Sequence, residues 1–281
     1  MEIIRTAESM QALSDQLRAD GKGIAFVPTM GALHGGHLSL FKLAQQKADV
    51  VVASIFVNSL QFEPNEDFKC YPRQEEEDIK KCERSQIDIA FIPDPETFYA
   101  PDHSIYITEE RLSQGLCGKS RPRFFHGVCT VVAKLFHIVQ PNIAVFGQKD
   151  AQQVAIIKRL VRDLHWRIDI AVGSTVREED GLAISSRNAY LTDEQRHYAR
   201  AIYQALEKAR DMVENGIKNV HRLTAEITFL LSQQRDLRLI YAVIVDPETM
   251  EDIDDEIVPG KTLIAVAVWC GEVRLVDNVL I

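Results

Sequence analysis

The sequence predicts an α/β protein in which a parallel-sheet domain, residues 1–175, is followed by a smaller α+β domain, residues 176–281. Three observations carry this. Up to about residue 175, short β-branched runs alternate with longer segments of helical period, the pattern of βαβ units around a parallel sheet. After Val176 the texture changes to a charged, glycine-containing loop, and helices then precede strands. A length of 281 residues accommodates two domains, and a composition that is 46% hydrophobic and 26% charged excludes disordered and collagenous chains.

The expected buried strands of the first domain are Ile24–Val27, Val50–Val57, Ile87–Ile92, Ile143–Phe146 and Ile168–Val172, each followed by a loop. Leu38–Lys47, Glu75–Arg84, Val128–Val139 and Ala151–Leu164 read as helices. In the third, Val128, Val131, Val132, Leu135 and Val139 recur at the 3-4 spacing that turns one apolar stripe to a sheet. In the second domain Thr192 and Gln195 form a capping-box pair that starts a helix running to about Asn215 before Gly216. A helix near Val220–Ser232 precedes three strands, Leu239–Val245, Leu263–Trp269 and Val273–Leu280. Cys270-Gly271-Glu272 marks a hairpin between the last two.

The net charge of −9, from 32 Lys and Arg against 41 Asp and Glu, would repel a polyanion, so nucleic acid is not expected as a partner. Five cysteines with no C-x-x-C pair indicate neither a zinc site nor a disulfide framework, and no metal ligands are assigned from spacing. Reduced thiols fit a cytoplasmic protein. No signal peptide is read in Met1–Gln16, and no apolar run is long enough for a membrane span.

The chemistry concentrates at strand ends. I-A-F-V-P-T-M-G-A-L-H-G-G-H-L-S-L, residues 24–40, runs from an apolar strand through a glycine-rich turn into a helix, which places His34 and His37 on one helical face. Gly31, Gly35 and Gly36 allow close backbone approach. The helix start offers unpaired N–H groups to phosphate, and two imidazoles can donate to oxygens as charge builds there. H-x-G-H alone also describes capping histidines at any helix start; strand, helix and three glycines together favour the site. The strand ending at residue 57 delivers Asn58 and Gln61, neutral amides suited to a carboxylate or hydroxyls and equally common in loops. V-F-G-Q-K-D-A-Q-Q, residues 145–153, repeats the geometry with Gly147, Lys149, Asp150 and Gln153. Lys149 suits phosphate, and Asp150 can accept from ribose hydroxyls.

I-S-S-R-N, residues 184–188, brings two hydroxyls and a guanidinium between the domains, the composition of a mobile loop that closes over a triphosphate. Lys119, Arg121 and Arg123 read as a solvated basic face. Tyr71-Pro72-Arg73 leads into Glu75, Glu76, Glu77 and Asp78, where a helix start enriched in acids is favoured over a Mg²⁺ site.

Together P-T-M-G-A-L-H-G-G-H, S-I-F-V-N-S-L-Q-F, Y-P-R, F-G-Q-K-D-A-Q-Q and D-G-L-A-I-S-S-R-N-A-Y-L closely resemble the pantoate–β-alanine ligase family of H-x-G-H nucleotidylyl transferases, over most of residues 24–192. The resemblance implies a Rossmann-like core in the first domain, a lid in the second, and a cytoplasmic homodimer. It implies that ATP and pantoate give pantoyl adenylate and pyrophosphate. β-Alanine then attacks to release pantothenate and AMP, with Mg²⁺ accompanying ATP. His34, His37 and Lys149 are the implied catalytic residues. With them Met30, Gly147, Asp150 and Val176 are implied at ATP, and Ile184, Ser185, Ser186 and Arg187 close from the second domain. Gln61, Gln153, Asn58 and Met30 are the implied pantoate contacts. The chain departs from the family at Ser59, where Pro is common, at Gln148 for Glu, at Ile184 for Met, and at Arg123-Phe124 for a Gly-His pair. Two other readings share the H-x-G-H turn: an adenylyltransferase giving a dinucleotide product, and a nucleotide-binding regulator that releases no pyrophosphate.

Overall fold

A computed structural model describes residues 1–64 and 66–281. The first unit is a six-stranded parallel sheet between two helical layers. Its elements run β1 (Glu2–Ile4), α1 (Ala7–Ala19), β2 (Ile24–Thr29), α2 (Gly35–Gln45), β3 (Val50–Ile55), α3 (Glu75–Arg84) and β4 (Ile89–Phe91). They continue with α4 (Pro95–Phe98), α5 (Leu116–Ser120), α6 (Phe124–Val139), β5 (Ile143–Gly147), α7 (Ala151–Asp163) and β6 (Asp169–Gly173). The sheet order is β1-β4-β3-β2-β5-β6. Leaving out the edge strand β1, this is the mononucleotide-binding order with β2 as its first strand.

The strands are apolar throughout because both faces are covered. Ile24 and Phe26 of β2 point into the core shared with Met10, Phe136 and the stripe of α6, whereas Ala25 and Val27 pack with Leu40, Phe41 and Ala44 of α2 and Cys82 of α3. The alternation is the two-residue period of a strand. Fully burying a side chain such as Phe26 stabilises the fold by about 2–3 kcal/mol.

The second unit contains α8 (Asp193–Ala199), α9 (Ala201–Glu214), α10 (Val220–Ser232) and an antiparallel sheet of β7 (Leu237–Val245), β8 (Leu263–Cys270) and β9 (Val273–Leu280), in that order. Ile264, Val266 and Val268 of β8 pack against Ile202, Leu206, Leu223 and Ile227 of the helices. Leu263 and Ala265 point the other way and join the core of the first unit. The second sheet therefore has no free apolar face.

Most expected elements are present, with informative differences. β1 and α1 lie where the polar N-terminus suggested no element. Only three residues make the strand, and α1 starts from Thr6, whose side chain accepts from Ser9 N–H. α2 starts at Gly35 rather than Leu38, because the two glycines continue into the first helical turn behind His34 as N-cap. α6 starts at Phe124 rather than Val128. The single helix expected from Thr192 divides at Arg200, while its capping box is formed as expected.

Gly127 permits one of the tightest approaches in the first unit. A Cβ there would lie against the Leu60 carbonyl, nearer than side-chain atoms come to backbone, and the Gly127 carbonyl accepts from Asn58 Nδ2 at 3.1 Å. Gly127→Ala is expected to destabilise the protein by about 1–3 kcal/mol and to raise the KM of whatever ligand Gln61 holds, because the 3₁₀ turn Ser59–Gln61 must move. Urea unfolding and steady-state kinetics on the same preparation check both.

Candidate active site

The strand order reverses between β2 and β5. Their connections leave to opposite faces, so a crevice opens beyond their carboxyl ends. A cavity of about 570 Å³ occupies this place and extends under the second unit. Met30, His34, His37, Gly147, Lys149, Asp150 and Gln153 line it from the first unit, and Val176, Ile184, Ser185, Ser186 and Arg187 from the connecting loop. Gln61 also lines it. Asn58 does not: fully buried, it gives Nδ2 to Gln61 Oε1 at 3.0 Å and to Gly127 O, and its Oδ1 accepts from Leu60 N–H and Tyr99 OH. The direct ligand contact expected for Asn58 becomes a positioning role, because all its polar atoms are committed. With its oxygen held by Asn58, the Gln61 amide is left with its NH₂ end as donor.

The histidine loop is shaped from behind by Asp78 of α3. Its two carboxylate oxygens accept from Ala32 N–H at 2.8 Å and Leu33 N–H at 2.7 Å, and Lys81 Nζ donates to Leu33 O at 2.7 Å. Gly31 (φ 79°) and Ala32 (φ 48°) are both left-handed, so the chain doubles back into the helix. Asp78 is thus neither a metal ligand nor merely a favourable charge at a helix start, and Glu77 faces solvent beside Lys80.

His34 is the N-cap of α2 and His37 its third residue; the rings lie 4.0 Å apart between centroids. His34 N–H donates to His37 Nδ1 at 3.3 Å. A backbone N–H can only donate, so neutral His37 carries its proton on Nε2. Burial, reinforced by the charge of Lys149, pushes His34 down to about 4. Burial and then the neighbouring His34 hold His37 well below its ordinary value. Both rings are neutral hydrogen-bond donors near pH 7, and the fixed cation beside them is Lys149, with Asp150 at 3.8 Å.

Two adjacent glutamines divide their work. Gln152 is buried and accepts from Cys117 N–H while donating to Leu112 O and Gly115 O, whereas Gln153 faces the cavity. The turn Gln148–Asp150 is gripped from the second unit by Asn278 of β9, whose Nδ2 donates to Gln148 O and Lys149 O at 3.0 and 2.9 Å. The S-S-R loop is fastened across the opening: Arg187 forms a two-bond pair with Asp67 at 3.1 and 3.0 Å, and Ser186 Oγ meets Tyr71 OH at 3.2 Å.

Several residues of this site carry little signal in the sequence. Arg121, expected on a solvated basic face, is buried. It is paired to Glu66 at 2.5 and 2.6 Å, bonded to Gln61 O and stacked over Phe124 at 3.8 Å. Asp67, Tyr71, Trp269 and Arg274 also line the cavity. Y-P-R gave a local cue to Tyr71, but nothing short of the fold connects Trp269 and Arg274 to residues 30–37.

The histidine environment yields a pH signature. A base whose pKa is lowered on folding takes up its proton more readily in the unfolded chain. The stability due to His34 is therefore full above pH 6.5 and declines as pH falls toward 4. Imidazole NMR should find His34 titrating near pH 4, moving upward when ATP brings negative charge to the ring. A His34→Gln variant should lose less stability than the unmodified protein over this pH window.

A family model described as pantoate-beta-alanine ligase matches residues 2–280. Pantothenate synthetase of Thermotoga petrophila is 48% identical over 281 residues, all of both chains. That of Desulfatibacillum aliphaticivorans is 48% identical over 278 residues, covering 99% of this chain and 98% of the relative. The crystal structure of pantothenate synthetase from Thermus thermophilus superposes with a TM-score of 0.93 at 39% identity, covering 99% of each chain. Pantoate-beta-alanine ligase from Francisella tularensis, complexed with beta-gamma ATP and beta-alanine, gives 0.80 at 35% identity over 100% of this chain and 97% of that one. A match over the whole chain makes this protein a member of the pantoate–β-alanine ligase family.

Proposed function

We infer that the protein condenses pantoate with β-alanine at the expense of ATP, by way of pantoyl adenylate. The carrying observation is one cavity at the β2/β5 switch point in which His34, His37 and Lys149 face the neutral amides Gln61 and Gln153. A carboxylate of pantoate is already a nucleophile and needs no base. The obstacle is repulsion between two anions, so catalysis rests on neutralisation and in-line positioning.

A pantoate carboxylate oxygen attacks the α-phosphorus, and the bond from that phosphorus to the bridging oxygen breaks as pyrophosphate leaves. Lys149 supplies the point charge where the phosphates crowd, and the imidazole N–H groups of His34 and His37 donate to phosphate oxygens. Asp150 accepts from the ribose, and Ser185, Ser186 and Arg187 cover the triphosphate, with Gly147, Met30, Val176 and Ile184 shaping the nucleotide pocket. Gln61 and Gln153 hold pantoate. The β-alanine amine then attacks the acyl carbon, the bond to AMP breaks, and the amine gives up a proton.

Mg²⁺ enters as the counterion of ATP. Glu66 is committed to Arg121, Asp67 to Arg187 and Asp78 to the loop N–H groups. Mg²⁺ would therefore be held mainly by phosphate oxygens and water, with Asp150 the nearest carboxylate left open to it. Residues 176–281 act as a lid domain over the nucleotide. Free cysteines at all five positions suit a cytoplasmic setting, and the family resemblance supports a homodimer.

Pyrophosphate–ATP exchange should require pantoate and Mg²⁺ but not β-alanine; exchange that appears only with β-alanine would exclude a free adenylate. The two halves of the cavity should separate by mutation. Lys149→Ala is expected to slow adenylation by on the order of 10² to 10³, the scale of a lost transition-state donor. Gln153→Ala should raise the pantoate KM by about 1–3 kcal/mol of binding with ATP use nearly unchanged, read from kinetics with each substrate varied in turn.

A further inference from the structure

Four lysines and arginines line the cavity, and three of them have carboxylate neighbours. Arg121 is neutralised by Glu66 and Arg187 by Asp67, each through two hydrogen bonds. Lys149 stands beside Asp150 among the phosphate-facing groups. Arg274 of β9 differs: no carboxylate lies within ion-pair distance among the described residues. Its Nη2 donates to Ser120 Oγ at 3.3 Å, and its Nε is buried without a protein partner. A guanidinium on a cavity wall with unspent donors matches the two oxygens of a carboxylate.

Its position along β9 separates it from the phosphates. Arg274, Val276 and Asn278 share one face of the strand, and Asn278 is the residue that grips the Lys149 turn. Four residues of antiparallel strand place the Arg274 backbone about 14 Å from that grip. At its own end Arg274 touches Ser120, the last residue of α5, whose Cys117 N–H is held by Gln152, the neighbour of Gln153. Glu272, one pleat earlier, is at the exposed rim. The free cation therefore stands on the cavity wall at the other end of β9 from the grip on the Lys149 turn.

Resting on the ligase reading above, we propose that Arg274 binds the carboxylate of the incoming amino acid and so selects β-alanine for the second step. That carboxylate is unchanged by the reaction. Anchored to Arg274, it leaves the uncharged amine two methylenes away, where it can reach the acyl carbon of the adenylate. The new C–N bond forms as the acyl C–O bond to AMP breaks, AMP leaves with that oxygen, the nitrogen gives its surplus proton to solvent, and Arg274 takes none.

The test splits the reaction. In Arg274→Gln the β-alanine KM should rise about 10- to 100-fold, the factor for one charge-assisted bond lost. Pyrophosphate–ATP exchange with pantoate should stay within about threefold of the unmodified rate. The unmodified enzyme should prefer β-alanine strongly over propylamine, which lacks the carboxylate. That preference should collapse in Arg274→Gln and return in part in Arg274→Lys, a pattern that a merely destabilised fold would not give. An unchanged β-alanine KM with the preference retained would overturn the proposal, as would exchange falling in step with β-alanine use. Absence of exchange in the unmodified protein would instead remove the ligase reading, and this proposal with it.

Discussion

The site depends on the carboxylate of Asp78 accepting the N–H groups of Ala32 and Leu33. Ala32 in the left-handed region costs about 1–2 kcal/mol. Each hydrogen bond to a charged acceptor contributes about 1.5–3 kcal/mol, so the pair outweighs the strain and fixes the loop. Because Asp78 is itself buried, either partner left alone would be costly, and the arrangement is all or none. From it follow the entry angle of α2, the stacking of His34 on His37 and the backbone donor that sets the His37 tautomer.

The second sheet roofs part of the crevice and deepens it into a cavity that stays open at its mouth. Its helix-facing residues are satisfied by α9 and α10, its other apolar face is buried against the first unit, and Asn278 ties β9 to the Lys149 turn. These contacts are central and buried. Across the mouth, Arg187–Asp67 and Tyr71–Ser186 join two loops through part-buried polar groups, with Tyr71 itself buried.

The fold and most of the site were readable in the sequence because their signals are local. Apolar period locates α6, a capping box locates α8, and H-x-G-H or G-Q-K-D places chemistry at a strand end. β1 escaped because three residues at a sheet edge have no period, and the break at Arg200 escaped because no proline or glycine marks it. Within the site the hidden residues are those whose partners lie far along the chain. Arg121 meets Glu66 from 55 residues away, and Asp78 meets Ala32 from 46. Neither Lys119, Arg121 and Arg123 nor the acidic run at Glu75–Asp78 shows in composition which member turns inward. Asn58 illustrates the reverse: its residue type suits a ligand, but packing against Gly127 turns it into the support of Gln61.

An acidic protein that binds a polyanion must concentrate its positive charge, and this chain of net charge −9 does so with few groups. Two buried imidazolium ions next to Lys149 would repel it and one another, since charges a few ångströms apart in a poorly solvated site interact by several kcal/mol. Burial instead keeps both rings neutral, and the fixed positive charge near them is carried by Lys149 and Lys81. Neutral N–H donors cost far less to bury than cations and are already oriented, and such donors strengthen against any negative charge brought to them. The low pKa of His34 and the short loop held by Asp78 are therefore two sides of one design: the fold fixes the geometry of the donors and keeps them free of charge.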